Sequence, residues 1–151
     1  MIEEKIKELG FEIPEVAKPL AAYVPAKLIG NLVMTSGQVP LVKGEIKFKG
    51  KVGKDISEED AIKAAEVCTL NCLAAIKSEI GSLDRIEEIV KLTVFVNSTD
   101  DYSAQPKIAN GASELLLKIF GDKGKHVRSA VGVSGLPLNS AVEIEMMVKV
   151  T

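Results

Sequence analysis

Apolar and polar positions recur along the chain with two periods, one helical and one strand-like. Near the N-terminus, Ile2, Ile6 and Leu9 are spaced as on one face of a helix, which predicts a short amphipathic helix within 1–10. The segment that follows, 11–20, contains two prolines and is expected to be extended.

Three short strands are predicted next. Segments 26–30 (AKLIG) and 32–37 (LVMTSG) are joined around Gly30 and Asn31, residues that favour a tight hairpin turn. Segment 45–50 (EIKFKG) alternates apolar and charged residues and predicts a third strand.

Two longer segments have the period of an α-helix. Ser57 is a good N-cap, and the helix it begins is expected to run over 58–80 and to end at Gly81. A second helix is predicted to begin near 103–106, where proline suits the first turn, and to end at Gly121. Each has one apolar stripe: Ile62, Ala65, Cys72, Leu73, Ile76 and Ile80 in the first, and Ile108, Ala112, Leu115, Leu116 and Ile119 in the second.

Three more segments alternate with the period of a strand: 89–97, 128–134 and 141–150. Each is expected to place one apolar set on one face of its strand. These sets are Val90, Leu92, Val94 and Val96 in the first, Val131 and Val133 in the second, and Val142, Ile144, Met146, Val148 and Val150 in the third.

The resulting order, β-β-β-α-β-α-β-β, predicts an α+β fold in which two helices cover one face of a sheet. No remaining element covers the other face, which is therefore either solvated or buried against another subunit. Phe95 and Met147 are expected on that face and favour an oligomer.

Length and composition fit one globular domain over 1–151, with 1–19 as an N-terminal helical extension. A net charge of -2 argues against nucleic acid as the main partner, and an aromatic content of 4% argues against a base-stacking surface. No apolar run approaches the roughly 18 residues of a membrane span, and the charged N-terminus has no signal-peptide core, so a cytoplasmic location is expected.

Few residues suit metal or nucleophilic chemistry. Cys68 and Cys72 lie four apart on a predicted helix, where two ligands could share a face, but core packing is the more common use of such thiols. The single histidine, His126, lies in the charged segment GDKGKH and is expected to be exposed. With one histidine and two cysteines, a four-ligand zinc site would need carboxylates or a second chain.

Arg128 begins an apolar strand, where an arginine usually has a partner. One interpretation is an ion pair with Glu143 that links two strands. The other is a clamp on the carboxylate of a small acid, with a nearby glutamate holding a water for attack on an electrophilic carbon.

Three stretches, YVPAKLIGNLVMTSGQVP, VKLTVFV and RSAVGVSGLPLNSAVEIE, resemble the RidA/YjgF family of imine and enamine deaminases over about residues 20–150. The resemblance implies a chorismate-mutase-like mixed sheet and a homotrimer with ligand clefts between subunits. It also implies hydrolysis of reactive 2-imino acids to 2-keto acids and ammonia without a cofactor.

By the same resemblance, Arg128 is expected to bind the substrate carboxylate, and Glu143 to position the attacking water. Many family members have cysteine two residues after the arginine, where this chain has Ala130. If that position contributes only backbone groups to the substrate, alanine retains them; if the thiol matters, activity falls.

Tyr23, Ser36 and Asn110 match further substrate-binding positions of the family. Each also has a simpler interpretation: Tyr23 as a packing aromatic, Ser36 as a turn-capping residue and Asn110 as a solvent-facing helix residue.

The leading functional hypothesis is therefore a cofactor-independent imine deaminase. A non-catalytic trimer that binds small carboxylic acids or metabolites in the same clefts is the alternative, and a purely structural partner protein is a third class. The family is also described as endoribonucleolytic, but this sequence has no basic-aromatic stripe and only one histidine.

Overall fold

A computed structural model describes residues 1–17 and 21–151. In this part of the chain there are three α-helices and seven strands. The helices are α1 (Ile2–Glu8), α2 (Glu58–Ile80) and α3 (Gln105–Phe120), and the strands are β1 (Ala26–Ile29), β2 (Leu32–Thr35), β3 (Leu41–Val42), β4 (Glu45–Ile46), β5 (Ile86–Asn97), β6 (Val127–Val133) and β7 (Val142–Val150).

Five strands form one mixed sheet in the order β1-β2-β7-β5-β6. Strand β6 pairs with β5 in parallel, and the other neighbours are antiparallel. Helices α2 and α3 pack on the same face of this sheet, α2 against β1, β2 and β7, and α3 against β5 and β6. The predicted α+β fold, with two helices on one face, is confirmed.

The N-terminal region follows the prediction where it is described. Helix α1 forms as expected, and residues 11–17 have no regular secondary structure, while residues 18–20 of the expected extended segment lie outside the described residues. Ile6 is fully buried in the core, and Glu3 forms an ion pair of 3.0 Å with Lys77 of α2. The extension therefore packs on the domain.

The third predicted strand, 45–50, is shorter and lies outside the main sheet. Only Glu45–Ile46 is extended, and it pairs with Leu41–Val42 in a separate two-stranded hairpin. Lys43 and Gly44 both have positive φ, 50° and 82°, which is the geometry of a tight two-residue hairpin turn. The segment therefore pairs locally, and β7 occupies the place beside β2.

Helix α2 begins and ends as predicted. Ser57 Oγ accepts a hydrogen bond of 3.1 Å from the backbone N–H of Asp60, and Gly81 ends the helix with a φ of 85°. Cys68 and Cys72 are buried on its sheet-facing side as free thiols. No helix in the described residues has an apolar stretch of the length that a bilayer crossing requires.

One face assignment in β5 is wrong. Leu92, Val94 and Val96 share one buried face, but Val90 does not belong to it, and Ile89 is buried in its place. The pairing of β5 with β7 shifts register between Ile89 and Lys91. A bulge of this kind inserts one residue and reverses the alternation beyond it.

The two faces of the main sheet differ in their covering. The apolar set of β7 is buried beneath the helices, whereas Phe95 and Met147 are only partly buried on the other side. We call this second side the open face. A shallow depression of about 190 Å³ on it is lined by Met34, Thr35, Lys91, Thr93, Glu145, Met146 and Met147.

Candidate functional site

Strand register places Arg128 and Glu143 on opposite sides of the sheet. Arg128 in β6 lies beside Leu92, which is buried under the helices, and Glu143 in β7 lies beside Phe95 on the open face. Laterally paired residues point to the same face. The interpretation of an ion pair linking two strands is therefore wrong, because the side chains cannot meet across the sheet.

The Arg128 guanidinium is held by helix α3 instead. Its Nη1 donates hydrogen bonds to Asn110 Oδ1 at 2.9 Å and to Ser113 Oγ at 3.0 Å. Asn110 and Ser113 are three residues apart, and therefore on one side of the helix. Asn110 is exposed, as its simpler interpretation expected, but its side chain also binds the arginine.

His126 extends this arrangement. Its Nε2 lies 2.8 Å from Ser113 Oγ, and its Nδ1 lies 2.6 Å from the carbonyl oxygen of Gly124. The expectation of an exposed histidine is wrong, because the ring is partly buried. We call Asn110, Ser113, His126 and Arg128 the Arg128 group.

Sequence reasoning missed Ser113 and the part played by His126, although signals for both were present. Ser113 is three residues beyond Asn110 on an amphipathic helix. His126 is two residues before Arg128, the spacing at which side chains share one side of an extended chain.

On the open face, Glu143 packs against a glycine. A Cβ on Gly37 would lie only 2.9 Å from Glu143 Cδ, so the carboxyl group occupies the space that any other residue would fill. The contact is aligned by Gln38, whose backbone exchanges hydrogen bonds of 2.7 and 3.0 Å with Ile144, the residue after the glutamate.

Ser36 and Tyr23 lie in the same region. Ser36 Oγ donates a hydrogen bond of 2.6 Å to the carbonyl oxygen of Val24, so this hydroxyl links the two chain segments that flank the β1–β2 hairpin and does not cap a local turn. Tyr23 precedes Val24 and is 53% exposed, which rules out a buried packing role within the chain. We call Tyr23, Ser36, Gly37 and Glu143 the Glu143 group.

The environment of Glu143 favours its neutral form. Partial burial raises the pKa of its carboxyl group above the ordinary value, and the nearby Glu145 carboxylate raises this pKa further. A carboxylate with a raised pKa is a stronger base than an ordinary one when it is ionised.

Ala130 lies beside Val94 on the helix-covered side and packs against the core. Its methyl group offers no donor or acceptor, so only its backbone can contact a polar ligand. The described residues contain no cluster of three or more His, Cys, Asp or Glu side chains that could hold a metal ion.

Comparison with known proteins gives a consistent set of similarities. Residues 3–150 match the family described as YjgF/chorismate mutase-like, putative endoribonuclease. The chain is 36% identical to protein TCP17 of Trypanosoma cruzi, over 98% of this chain and 93% of that protein. It superposes with a TM-score of 0.94 on the crystal structure of Atu1372, a protein of unknown function from Agrobacterium tumefaciens, at 41% identity and with 99% and 92% of the two chains covered.

A more distant relative has a named reaction. The chain is 28% identical to a 2-iminobutanoate/2-iminopropanoate deaminase of Dermatophagoides farinae, over 89% of this chain and 91% of that protein.

Proposed function

Because the chain belongs to the YjgF/RidA family, we propose that it hydrolyses small 2-imino acids to 2-keto acids and ammonia in a cleft between two copies of the chain. The observation that carries the proposal is the division of the polar residues into the Arg128 group and the Glu143 group on opposite sides of one sheet. An anion-binding group and a basic carboxylate suit this reaction, but one copy cannot turn both toward one ligand.

Arg128 supplies the anion-binding part. Its Nη1 is bound by Asn110 and Ser113, which leaves the Nε–H and Nη2–H donors for the two oxygens of a substrate carboxylate. Two parallel, charge-assisted hydrogen bonds fix the ligand in one orientation, which a single contact does not.

Glu143 supplies the base. Its ionised carboxylate accepts a proton from water while the water oxygen bonds to the imine carbon and the carbon–nitrogen double bond becomes single. The nitrogen takes up a proton, and the resulting amino alcohol collapses to the ketone as ammonia leaves. One water is consumed for each ammonia released, and no oxidant or cofactor enters the balance.

A homotrimer joined through the open faces completes the site in this proposal. Each cleft would combine the Arg128 group of one copy with the Glu143 group of the next, and Tyr23, which is exposed in the single chain, would reach the neighbouring cleft. A closed ring of three such contacts gives every copy an equivalent site.

The deciding assay follows 2-iminopropionate generated in situ by an amino acid oxidase. The purified protein should speed its hydrolysis to pyruvate above the uncatalysed rate, and Glu143→Gln should abolish the acceleration while pyruvate binding persists. Lys123→Ala, which removes an exposed charge from a residue that belongs to neither group, is the control and should behave as wild type. Pyruvate binding without acceleration in the wild-type protein would support the alternative of a non-catalytic carboxylate-binding trimer.

A further inference from the structure

Four side chains and one carbonyl group form a continuous hydrogen-bonded chain at the edge strand β6. From Asn110 Oδ1 it passes through Arg128 Nη1 to Ser113 Oγ, then to the two ring nitrogens of His126 and finally to the carbonyl oxygen of Gly124. Each heavy-atom distance in this chain lies between 2.6 and 3.0 Å.

With a neutral imidazole ring, the chemistry of the end groups fixes the direction of every bond. A carbonyl oxygen only accepts, so His126 Nδ1 carries the proton that points to Gly124. In the neutral ring Nε2 is then an acceptor, and Ser113 must donate its hydroxyl proton to it. The lone pairs of the same hydroxyl accept the N–H of Arg128, so each group in the chain is satisfied.

This arrangement restricts the guanidinium. Nη1 carries two protons, and both are donated in hydrogen bonds, one to Asn110 and one to Ser113. Because the guanidinium is planar, two bonds to one nitrogen fix the plane of the whole group. The edge formed by Nε and Nη2 is then the side available for a bidentate contact.

We propose that Ser113 and His126 are positioning residues, which hold Arg128 so that its Nε–Nη2 edge receives the ligand carboxylate. The inference rests on the proposed role of Arg128 as the carboxylate-binding residue. The two side chains line a cavity of about 250 Å³ together with Arg128, Leu117 and Lys125, so the chain of bonds lies beside open space and not within the core.

Binding measurements with pyruvate test the proposal. Ser113→Ala removes one bond to the guanidinium and should weaken pyruvate binding about 10- to 150-fold, as expected for the loss of one bond to a charged group. His126→Phe removes the acceptor that orients the Ser113 hydroxyl and should weaken pyruvate binding to a smaller extent. Ser113→Thr keeps the hydroxyl and should restore near wild-type affinity. In turnover, the two disruptive variants should raise KM more than they lower kcat, because they act on the carboxylate contact.

A double-mutant cycle separates positioning from general structural damage. If Ser113 acts through Arg128, Ser113→Ala should cause no further loss in an Arg128→Ala background. Lys123→Ala removes an exposed positive charge from the same region and is the matched control.

The single histidine of the chain permits a direct spectroscopic readout. Nitrogen-15 NMR at mildly alkaline pH should show His126 with its proton on Nδ1, and Ser113→Ala should shift the Nε2 resonance. A proton on Nε2 would overturn the proposed direction of the bonds.

The proposed function and the positioning role of Ser113 and His126 predict different results for these variants. If Arg128→Ala binds pyruvate like wild type, the proposed function is wrong. If Arg128→Ala loses binding while Ser113→Ala and His126→Phe retain it, the positioning role is wrong and the function stands.

Discussion

At the scale of single residues, the sequence points to two candidate side chains but not to all of their partners. Residue type and the family resemblance point to Arg128 and Glu143. In the structure, Arg128 donates a hydrogen bond to Ser113, and Glu143 is partly buried. Neither clue specifies a partner that lies elsewhere in the chain. The contact between Ser113 and His126 spans a helix and a loop, and only the packing of α3 beside β6 brings the two together.

The planar guanidinium of Arg128, with its several N–H donors, leads to the first residue-scale prediction. Lysine carries three donors on one nitrogen and cannot present two parallel donors to a carboxylate while also binding Asn110 and Ser113. Arg128→Lys should therefore weaken pyruvate binding almost as much as Arg128→Ala, by about 30- to 5,000-fold. The melting temperature should change little, because Arg128 is only partly buried. Calorimetric titration and thermal denaturation of both variants provide the check, and a sharp fall in melting temperature with unchanged binding would contradict it.

The close approach of Gly37 to Glu143 leads to the second residue-scale prediction. Gly37→Ala places a methyl group in the space of the carboxyl group and must displace it, while the φ of Gly37 is not positive and tolerates alanine. We expect imine hydrolysis to fall at least about tenfold, since a misplacement of about 1 Å at a reacting group can cost 100-fold.

Gly135→Ala is the matched control for that variant, because its added methyl group meets no atom within 4 Å and its φ is not positive either. Equal activity of the two alanine variants would show that the position of Glu143 does not matter for turnover.

At the scale of elements, the helices were the best predicted parts because their ends carry chemical signals. Ser57 and Gly81 bound α2 at the residues expected from capping alone. The sequence of β5 does not indicate the bulge, because the inserted residue is as apolar as its neighbours. The bulge is defined only by the pairing of β5 with β7. The separate hairpin of β3 and β4 is likewise not indicated by the local sequence, because it depends on the pairing of β2 with β7.

Contacts between α2 and β7 predict an alkaline loss of stability. Cys68 and Cys72 donate from their sulfurs to the carbonyl oxygens of Val142 and Ile144 at 3.5 and 3.3 Å. Burial raises the pKa of Cys72 from 9.0 to about 12. Between these values the thiol ionises in the unfolded chain and stays protonated in the folded one, so the contribution is intact below pH 9 and is lost as pH rises toward 12.

The measurement is the pH dependence of the free energy of unfolding in wild type and in Cys72→Ala. The cavity left by Cys72→Ala lowers the free energy of unfolding at every pH. Loss of the titrating thiol changes only the slope of this free energy against pH. We expect the wild-type curve to fall more steeply above pH 9, by up to about 1.4 kcal/mol per pH unit from this thiol. Parallel curves would show that Cys72 does not remain protonated in the folded chain.

At the scale of the whole molecule, a site shared between copies can be tested by mixing two defective chains. Arg128→Ala lacks the proposed anion-binding group, Glu143→Gln lacks the proposed base, and each should be inactive alone. Refolded together in equal amounts, they should form trimers in which about a quarter of the clefts pair an intact arginine with an intact glutamate, and about that share of activity should return.

Light scattering on the same samples measures whether wild type, both variants and their mixture have the mass of the proposed trimer at micromolar concentration. Trimeric mixtures with no regained activity would place both residues of a working site in the same copy, against the geometry of the sheet.

The exposed outer strands of the sheet have a consequence for the life of a newly made chain. Strands β1 and β6 are the two edges, and the exposed apolar residues on them are Leu28, Ile29, Val127 and Val131. An unpaired edge with apolar side chains is a template for indiscriminate strand addition. A single folded copy is therefore prone to aggregate, and slow synthesis, which leaves time for the proposed trimer to form, should give more soluble protein than rapid overproduction.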